Sequence, residues 1–476
     1  MNKHFEYLKV EILHDLKQKK LSQNYYTKQK KNYQNLYNFL KLQKNFLLII
    51  LISFENFFLI LKASFIQIFY NKNKNRNKVL IIIDEKKVDQ ISNLLIYKIL
   101  KSNNISFVII NKSKREILSE NPKKKGDFRY ENFFSLNVFI FFIYNSIINL
   151  KKYFFFLRKN KLLSKNLFYL FKIYLRFIQD YCIVKKINDY FSPSFIYINQ
   201  NSLNQQNIIS AFKSINNKIQ IIGNSFNGLK FSNQKITGEY LWNNIDHLLC
   251  YGRMDLNEFK KMHKKNYLFP PKNIYAIGSP RDYIFKKKNK YKVRSKRCLN
   301  ILFIKSNPNM QNNVDERALK LIIETLETLE FQKNISLTIK DRAQSNQQSN
   351  INNLLKKYTG SIKTIRSETQ LTEKLIFEND LILGTYSTSF IYQSIYFKKP
   401  IIQIFGNEIY WTDLNKQGVI ICNNRSYFKK QITKFYYDKK IFRKNYRKKI
   451  INLRSKIFRD GDVKNNLEKQ LIKLLN

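Results

Sequence analysis

The stretch VLIIIDEKKVDQISNLLIYKILKSNNISFVII, residues 79–110, decides the fold. VLIIID (79–84) is a continuous apolar run, the pattern of a strand covered on both faces. VDQISNLLIYKILKS (88–102) spaces its apolar residues by three and four, which predicts a helix with one buried face, and ISFVII (105–110) returns to strand. Strand, helix and strand in this order form one βαβ unit, and such units predict a parallel sheet with helices on its faces.

The same alternation continues downstream. Strands are expected at FIYI (195–198), IQIIG (219–223), HLLCY (247–251) and IYAIG (274–278), with a helix near 203–214. The lysine-rich KKKNKYKVRSKR (286–297) reads as a solvated linker. A second series follows it: LNILFIK (299–305), a helix over 315–330, ISLTIK (335–340), a helix over 350–358, SIKTI (361–365), a short helix over 370–377, DLILG (380–384), a helix over 388–397 and PIIQIF (400–405). From about Ser426 the chain reads as helical and basic. The expected architecture is α/β, with two Rossmann-like doubly wound domains facing a cleft and an N-terminal helical extension. The extension covers 1–77, the first domain 78–290 with an aromatic helical insertion, the second domain 298–445 and the closing helices 446–476.

Two segments admit more than one reading. The run from Asn45 to Tyr70 is long enough to span a bilayer, but Glu55 and Lys62 interrupt it and basic residues flank both ends. A transmembrane anchor at 45–70, an interfacial helix and a buried core helix all remain open. The aromatic stretch from Phe133, FFSLNVFIFFIYNSIINLKKYFFFLRK, reads as helices packed on a domain or pressed against lipid.

The chain carries a formal charge of +52, from 86 Lys and Arg against 34 Asp and Glu. Such a charge favours anionic partners. Lys, Asn, Ile, Phe and Tyr are abundant together while Gly numbers 11 and Pro 7, the composition that AT-rich codon usage imposes. Part of the charge therefore reflects composition. No RNP, KH, zinc-finger or helix-turn-helix pattern is present, so no specific nucleic-acid partner is expected. The four cysteines, Cys182, Cys250, Cys298 and Cys422, lie far apart and fit a reducing compartment. The N-terminus lacks the pattern of a signal peptide, so export is not expected.

The richest motif is DLILGTYSTSFIYQSIYFKKPII (380–402). A buried strand ends at Gly384, a small polar turn containing Ser387 and Thr388 follows, and a helix begins. In an open parallel sheet ligands gather beyond the carboxyl ends of the strands, and a helix N-terminus offers free N–H groups to a phosphate. Capping of that helix by Ser387 or Thr388 is the competing structural role. Lys340 and Arg342 stand at another strand end, where two cations can neutralise a pyrophosphate, or simply face water. Asp84 and Glu85 close the first strand, at the edge where a general base for an acceptor hydroxyl belongs, although Asp84 also suits a helix cap. Asp460, Gly461 and Asp462 form an acidic triplet before the last helix, and Asp462 reads as its N-cap. No metal site is expected, because the four histidines show no ligand spacing.

The turn, helix and KKPII at 398–402 resemble the donor-side signature of the surface carbohydrate biosynthesis family, GT-B-like proteins related to capsule synthesis and CDP-glycerol glycerophosphotransferases. IYAIGSPRDYIF (274–285), ILFIKSNPNMQNN (301–313), TIKDR (338–342) and the opening VLIIIDEKK resemble further family segments in the same order, from about residue 79 to 470. The resemblance implies a nucleotide-activated sugar or alditol as donor, bound by Lys340, Arg342, Gly384, Ser387, Thr388 and Gln393. It implies no essential cofactor, and an interdomain turn built from Gly278, Pro280, Arg281 and Asp282, the last two bracing it by an ion pair. A lipid-linked or polysaccharide acceptor over the first domain and catalytic assistance from Asp84 or Glu85 complete the expectation. So does a place on the anionic inner face of the cytoplasmic membrane, held peripherally. Three positions depart from the family pattern: Gln393 stands where a Glu is usual, Asn227 and Gly228 where a His or Glu precedes the Gly, and Arg342 and Ala343 where His-Pro is usual. A CDP-alditol phosphotransferase and a non-catalytic nucleotide-sugar or polysaccharide binder are the alternatives.

Overall fold

The computed structural model describes residues 78–83, 91–112, 127–159, 167–198, 203–224, 245–253, 256–257, 271–288, 298–305, 314–341, 361–366, 372–385, 389–405, 419–459 and 462–476. The expected extension 1–77, with its apolar run at 45–70, lies outside them, as do Asn227, Gly228 and the helix expected over 350–358.

The first domain is a seven-stranded sheet, all parallel. In chain order it consists of β1 (Val79–Ile83), α1 (Asn93–Ser102), β2 (Phe107–Asn111), β3 (Asp127–Arg129), α2 (Leu136–Lys159), α3 (Leu167–Phe191), β4 (Phe195–Ile198), α4 (Leu203–Ile215), β5 (Gln220–Asn224), β6 (His247–Cys250), β7 (Asn273–Ala276) and α5 (Pro280–Lys288). Its strand order is β3-β2-β1-β4-β5-β6-β7. The continuous apolar run of β1 has a direct cause. Leu80 and Ile82 point into a core shared with α3 and α4, while Val79, Ile81 and Ile83 point into the core on the other face, shared with α1. Each buried Ile or Leu contributes about 1.5–3 kcal/mol by leaving water, so a polar residue at either parity would be costly.

The second domain repeats the plan with six parallel strands. Its elements are β8 (Leu299–Ile304), α6 (Val314–Leu326), β9 (Ile335–Asp341), β10 (Ser361–Arg366), α7 (Thr372–Glu378), β11 (Leu381–Gly384), α8 (Ser389–Tyr396), β12 (Ile401–Ile404), β13 (Ile420–Cys422) and α9 (Arg425–Tyr437). The order is β10-β9-β8-β11-β12-β13.

Two final helices tie the domains together. α10 (Lys439–Ile457) buries Tyr446, Ile450, Leu453 and Ile457 in the second core, where Tyr251 of the first domain joins them and stacks on Phe458 at 5.6 Å. Gly252 permits this approach: a Cβ there would stand 1.8 Å from the Ile457 carbonyl oxygen. The chain then crosses back. α11 (Val463–Leu475) inserts Val463, Leu467, Leu471 and Leu475 against Ile277, Ile284 and the α1 side of the first sheet. Asp462 caps α11, its carboxylate accepting from the Lys464 N–H at 2.9 Å. Among the described residues no helix is long and apolar enough to cross a membrane.

Candidate functional site

In the second sheet the strand order reverses direction between β8 and β11, and in open parallel sheets ligands bind beyond the carboxyl ends of the strands at such a switch point. Lys305 follows β8, and Lys340 is the penultimate residue of the neighbouring β9, before Asp341; the Lys305 N–H donates to the Lys340 carbonyl at 3.2 Å. Both residues are only 6% exposed. The Lys340 ammonium donates to the Thr372 hydroxyl at the start of α7. Two lysines thus stand at adjacent strand ends, with Asp341 next to Lys340.

The two helices that follow β8 and β11 differ. α6 carries Asp315 and Glu316 in its first turn, so its positive end is already compensated by its own carboxylates. Asp315 also accepts a hydrogen bond from the hydroxyl of Thr385, the fully buried residue that follows β11. The Thr385 carbonyl is held in turn by the Gln403 side-chain amide at 3.2 Å. α8 has no acidic residue in its first turn, and a helix N-terminus of that kind favours anions. Ser387 and Thr388, expected just before α8, lie outside the described residues, as does Arg342.

Gly384 ends β11 as expected, and its want of a side chain has a packing cause: a Cβ there would fall 2.2 Å from the ring of Phe390, a buried residue of α8. Gln393 also sits on α8, and its amide nitrogen donates to Glu373 of α7 at 2.9 Å. The same Glu373 oxygen is ion-paired to Arg281, which reaches over from α5 in the first domain. Gln393 thus belongs to a polar bridge between the domains. Arg281 braces the interdomain turn through Glu373, and its charge also acts on the neighbouring Asp282. Asp282 accepts from the Ser279 hydroxyl at 2.7 Å. Burial pushes the Asp282 carboxyl up to about 7, with the nearby Glu373 charge adding to it and the Ser279 hydrogen bond and Arg281 opposing. Gly278, with φ of 94°, turns the chain into Pro280 at the start of α5.

The first sheet offers its own carboxyl edge. Asp84 and Glu85, expected there, lie outside the described residues, immediately after the end of β1 at Ile83. Just beyond β2 and β3, Lys112 and Tyr130 converge on Asp180 of α3: the Tyr130 hydroxyl donates to the carboxylate at 2.9 Å and the Lys112 ammonium lies 3.4 Å from it. Burial, followed by the Asp180 charge, raises the Tyr130 hydroxyl well above its ordinary value. The opposite edge holds a different cluster, Asp246 between Lys213 at 2.5 Å and Lys272 at 2.7 Å, with the Ile221 N–H donating to Asp246. Its place at the amino ends of β5 and β6 gives it a bracing role.

Lys305, Glu373 and Asp180 were not singled out from sequence. The only sequence signal for Lys305 is its place at the end of the LNILFIK run; Glu373 and Asp180 sit in helices whose burial comes from distant elements.

No protein-family model matches the chain, and no curated protein matches it in sequence. Solved structures do. The UDP-GlcNAc 2-epimerase of Neisseria meningitidis, bound to UDP-GlcNAc, is 12% identical and superposes with a TM-score of 0.54 over 83% of this chain and 98% of its own. Another UDP-N-acetylglucosamine 2-epimerase, 10% identical, gives 0.52 over 84% and 96%. S. aureus MnaA, solved with UDP, is also 10% identical and gives 0.50 over 84% and 97%. The fold is GT-B-like. At these identities the likeness is one of architecture: two doubly wound domains with the chain returning to the first.

Proposed function

We propose that the protein binds a nucleotide-activated sugar in the second domain and moves the sugar to an acceptor held by the first, in building surface polysaccharide. The observation that carries this reading is the pair of lysines at the switch point, where Lys305 and Lys340 stand at adjacent strand ends and the following α8 has no acidic residue in its first turn. A diphosphate suits that edge. In a nucleotide-sugar reaction the bond between the sugar and the diphosphate breaks, and charge grows on the departing oxygen. Fixed cations and helix N–H groups stabilise that charge without reorganising. The acceptor hydroxyl loses its proton to a carboxylate at the carboxyl edge of the first sheet, where Asp180 joins Asp84 and Glu85 as a candidate. This reading needs no cofactor. The acceptor is lipid-linked or polymeric, and the protein works peripherally on the inner face of the cytoplasmic membrane.

The neighbours' names favour one second reading, epimerisation of a UDP-sugar without any acceptor. Incubation with radiolabelled UDP-sugars, with and without membrane extract, separates the two. Label moving into lipid or polymer supports transfer. Label that stays in the nucleotide fraction as a new UDP-sugar supports epimerisation, and label that stays in the original sugar under all donors contradicts both.

A further inference from the structure

Helix α2 is amphipathic in the wrong sense for a helix facing water. Its exposed side carries Leu136, Ile140, Ile143, Tyr144, Ile147, Ile148 and Phe155, from 42% to 67% exposed, at the three-and-four spacing of a single face. Its buried side, packed on α3, holds Val138 and Phe142 but also Asn145 and Asn149. The amide nitrogens of those two asparagines donate to backbone carbonyls one turn back in α2 itself, Asn145 to Phe141 at 2.7 Å and Asn149 to Asn145 at 2.8 Å. α3 also holds the backbone of α2, through the Tyr174 hydroxyl donating to the Ser146 carbonyl at 2.7 Å. The orientation of α2 is set by the burial of Val138 and Phe142 in the core and by the Tyr174 hydrogen bond, with seven large apolar residues left outward. Between Leu136 and Phe155 the helix runs roughly 28 Å, so the stripe is a long, nearly straight ridge. A contiguous apolar surface of this kind marks an interaction site.

Charge decides the occupant. α2 contains no acidic residue, and four basic residues, Lys151, Lys152, Arg158 and Lys159, fall at its carboxyl end. Lys151 and Lys152 are exposed beside the stripe, between Ile148 and Phe155. A second copy of the chain would bring another +52 against this one. An anionic lipid surface supplies the opposite sign for the lysines and an apolar interior for the ridge, the pattern of an interfacial helix lying in the plane of the head groups.

We propose that the outer face of α2 is a membrane-docking surface that beds into an anionic bilayer, with Leu136 to Phe155 in the acyl boundary and Lys151 and Lys152 on the head groups. The proposal deepens the peripheral attachment included in the proposed function. It does not depend on the nucleotide site. It also places the first domain, whose carboxyl edge would hold the acceptor, against the lipid.

The test is flotation of the full-length protein with phosphatidylcholine vesicles, with and without phosphatidylglycerol. Nucleotide titration of the same preparations is a separate readout for the donor site. Ile140→Gln with Ile147→Gln and Phe155→Gln removes apolar surface while leaving the charge unchanged, and the positions are exposed, so melting should not change. Expected are a loss of anionic-vesicle binding of about tenfold or more in the triple variant and a further loss on Lys151→Glu with Lys152→Glu. Binding to anionic vesicles that is identical in parent and triple variant would overturn the proposal, since the basic charge alone would then account for it. So would a dimer in light scattering that the triple substitution dissociates, because the ridge would then belong to a second copy.

Discussion

The bridge from Arg281 to Glu373 is the only described ion pair joining α5 of the first domain to α7 of the second, and removing its cation has a calculable consequence. The two side chains are 11% and 1% exposed, so water cannot replace the guanidinium around the Glu373 carboxylate. In Arg281→Ala the carboxylate keeps, among the described residues, the Gln393 amide, with the Asp282 carboxyl nearby. An exposed pair would be worth less than about 1 kcal/mol. A buried pair broken from one side costs roughly 3–5 kcal/mol, because a charge is left uncompensated. Burial selects the larger figure. Replacing both partners by apolar residues of similar size, Arg281→Met with Glu373→Leu, should recover most of the loss. Urea denaturation followed by far-ultraviolet circular dichroism measures the parent, Arg281→Ala, Arg281→Met, Glu373→Leu and the double variant, and hydrogen exchange in α5 and α7 shows whether the loss is local to the bridge. A loss below about 1 kcal/mol in Arg281→Ala, or a double variant whose loss is the sum of the singles, would refute the reasoning.

The Asp282 carboxyl, ordinarily near 3.8 and raised to about 7 by burial and then by Glu373, keeps its proton in the folded state over a range where the unfolded chain has lost it. Its contribution is therefore full below about pH 4 and declines as pH rises to about 7. Asp282→Asn should gain on the parent over that window, by up to roughly 4 kcal/mol at about 1.4 kcal/mol per pH unit, and denaturation at pH 5 and pH 8 checks this. A pH-independent difference would contradict it. Lys398 ends the α8 turn with φ of 57°, a conformation that suits glycine, so Lys398→Gly should raise stability by about 0.5–1 kcal/mol in the same assay. Gly252→Ala should cost about 3 kcal/mol or more, because the added methyl meets the backbone of Ile457 and Phe458, neither of which can rotate away; a neutral result would mean that α10 does not approach the first domain so closely.

The central strands were legible because both of their faces are covered, which writes them as unbroken apolar runs. FIYI at 195–198 occupies the same residues in the structure as β4, and β1 covers Val79–Ile83 of VLIIID, whose Asp84 lies outside the described residues. The two strands that went unread, β3 and β13, are three-residue edge strands. DFR has a single apolar residue, and IIC is too short to carry a period. Helix starts were less legible than strands. α1 begins at Asn93, where 88 was expected, with the intervening 88–90 outside the described residues. At the site, the strand-end position of Lys340 could be read directly. Lys305 could not be singled out in so lysine-rich a chain, since only the register that sets Ile304 against Lys340 brings the two cations together. Glu373 sits in TEKLIFE, a helix that resembles any solvated one until α5 covers it. The partner of Gln393 likewise comes from an element twenty residues away. The aromatic stretch from Phe133 announced helices, but which face looks outward depends on how Val138, Phe142 and the Ser146 carbonyl meet α3.

The central claim is that the carboxyl edge of the second sheet receives a nucleotide diphosphate. Isothermal titration of the full-length protein with UDP, CDP and GDP and their sugar conjugates tests it most directly, run on the parent and on Lys305→Ala and Lys340→Ala. The account predicts saturable binding of one nucleotide class at one site per chain. Each substitution should weaken it by about 1.5–3 kcal/mol, the range for hydrogen bonds to charged groups, while binding of the corresponding nucleoside changes little. Binding of no nucleotide, or binding that both lysine substitutions leave untouched, would contradict it.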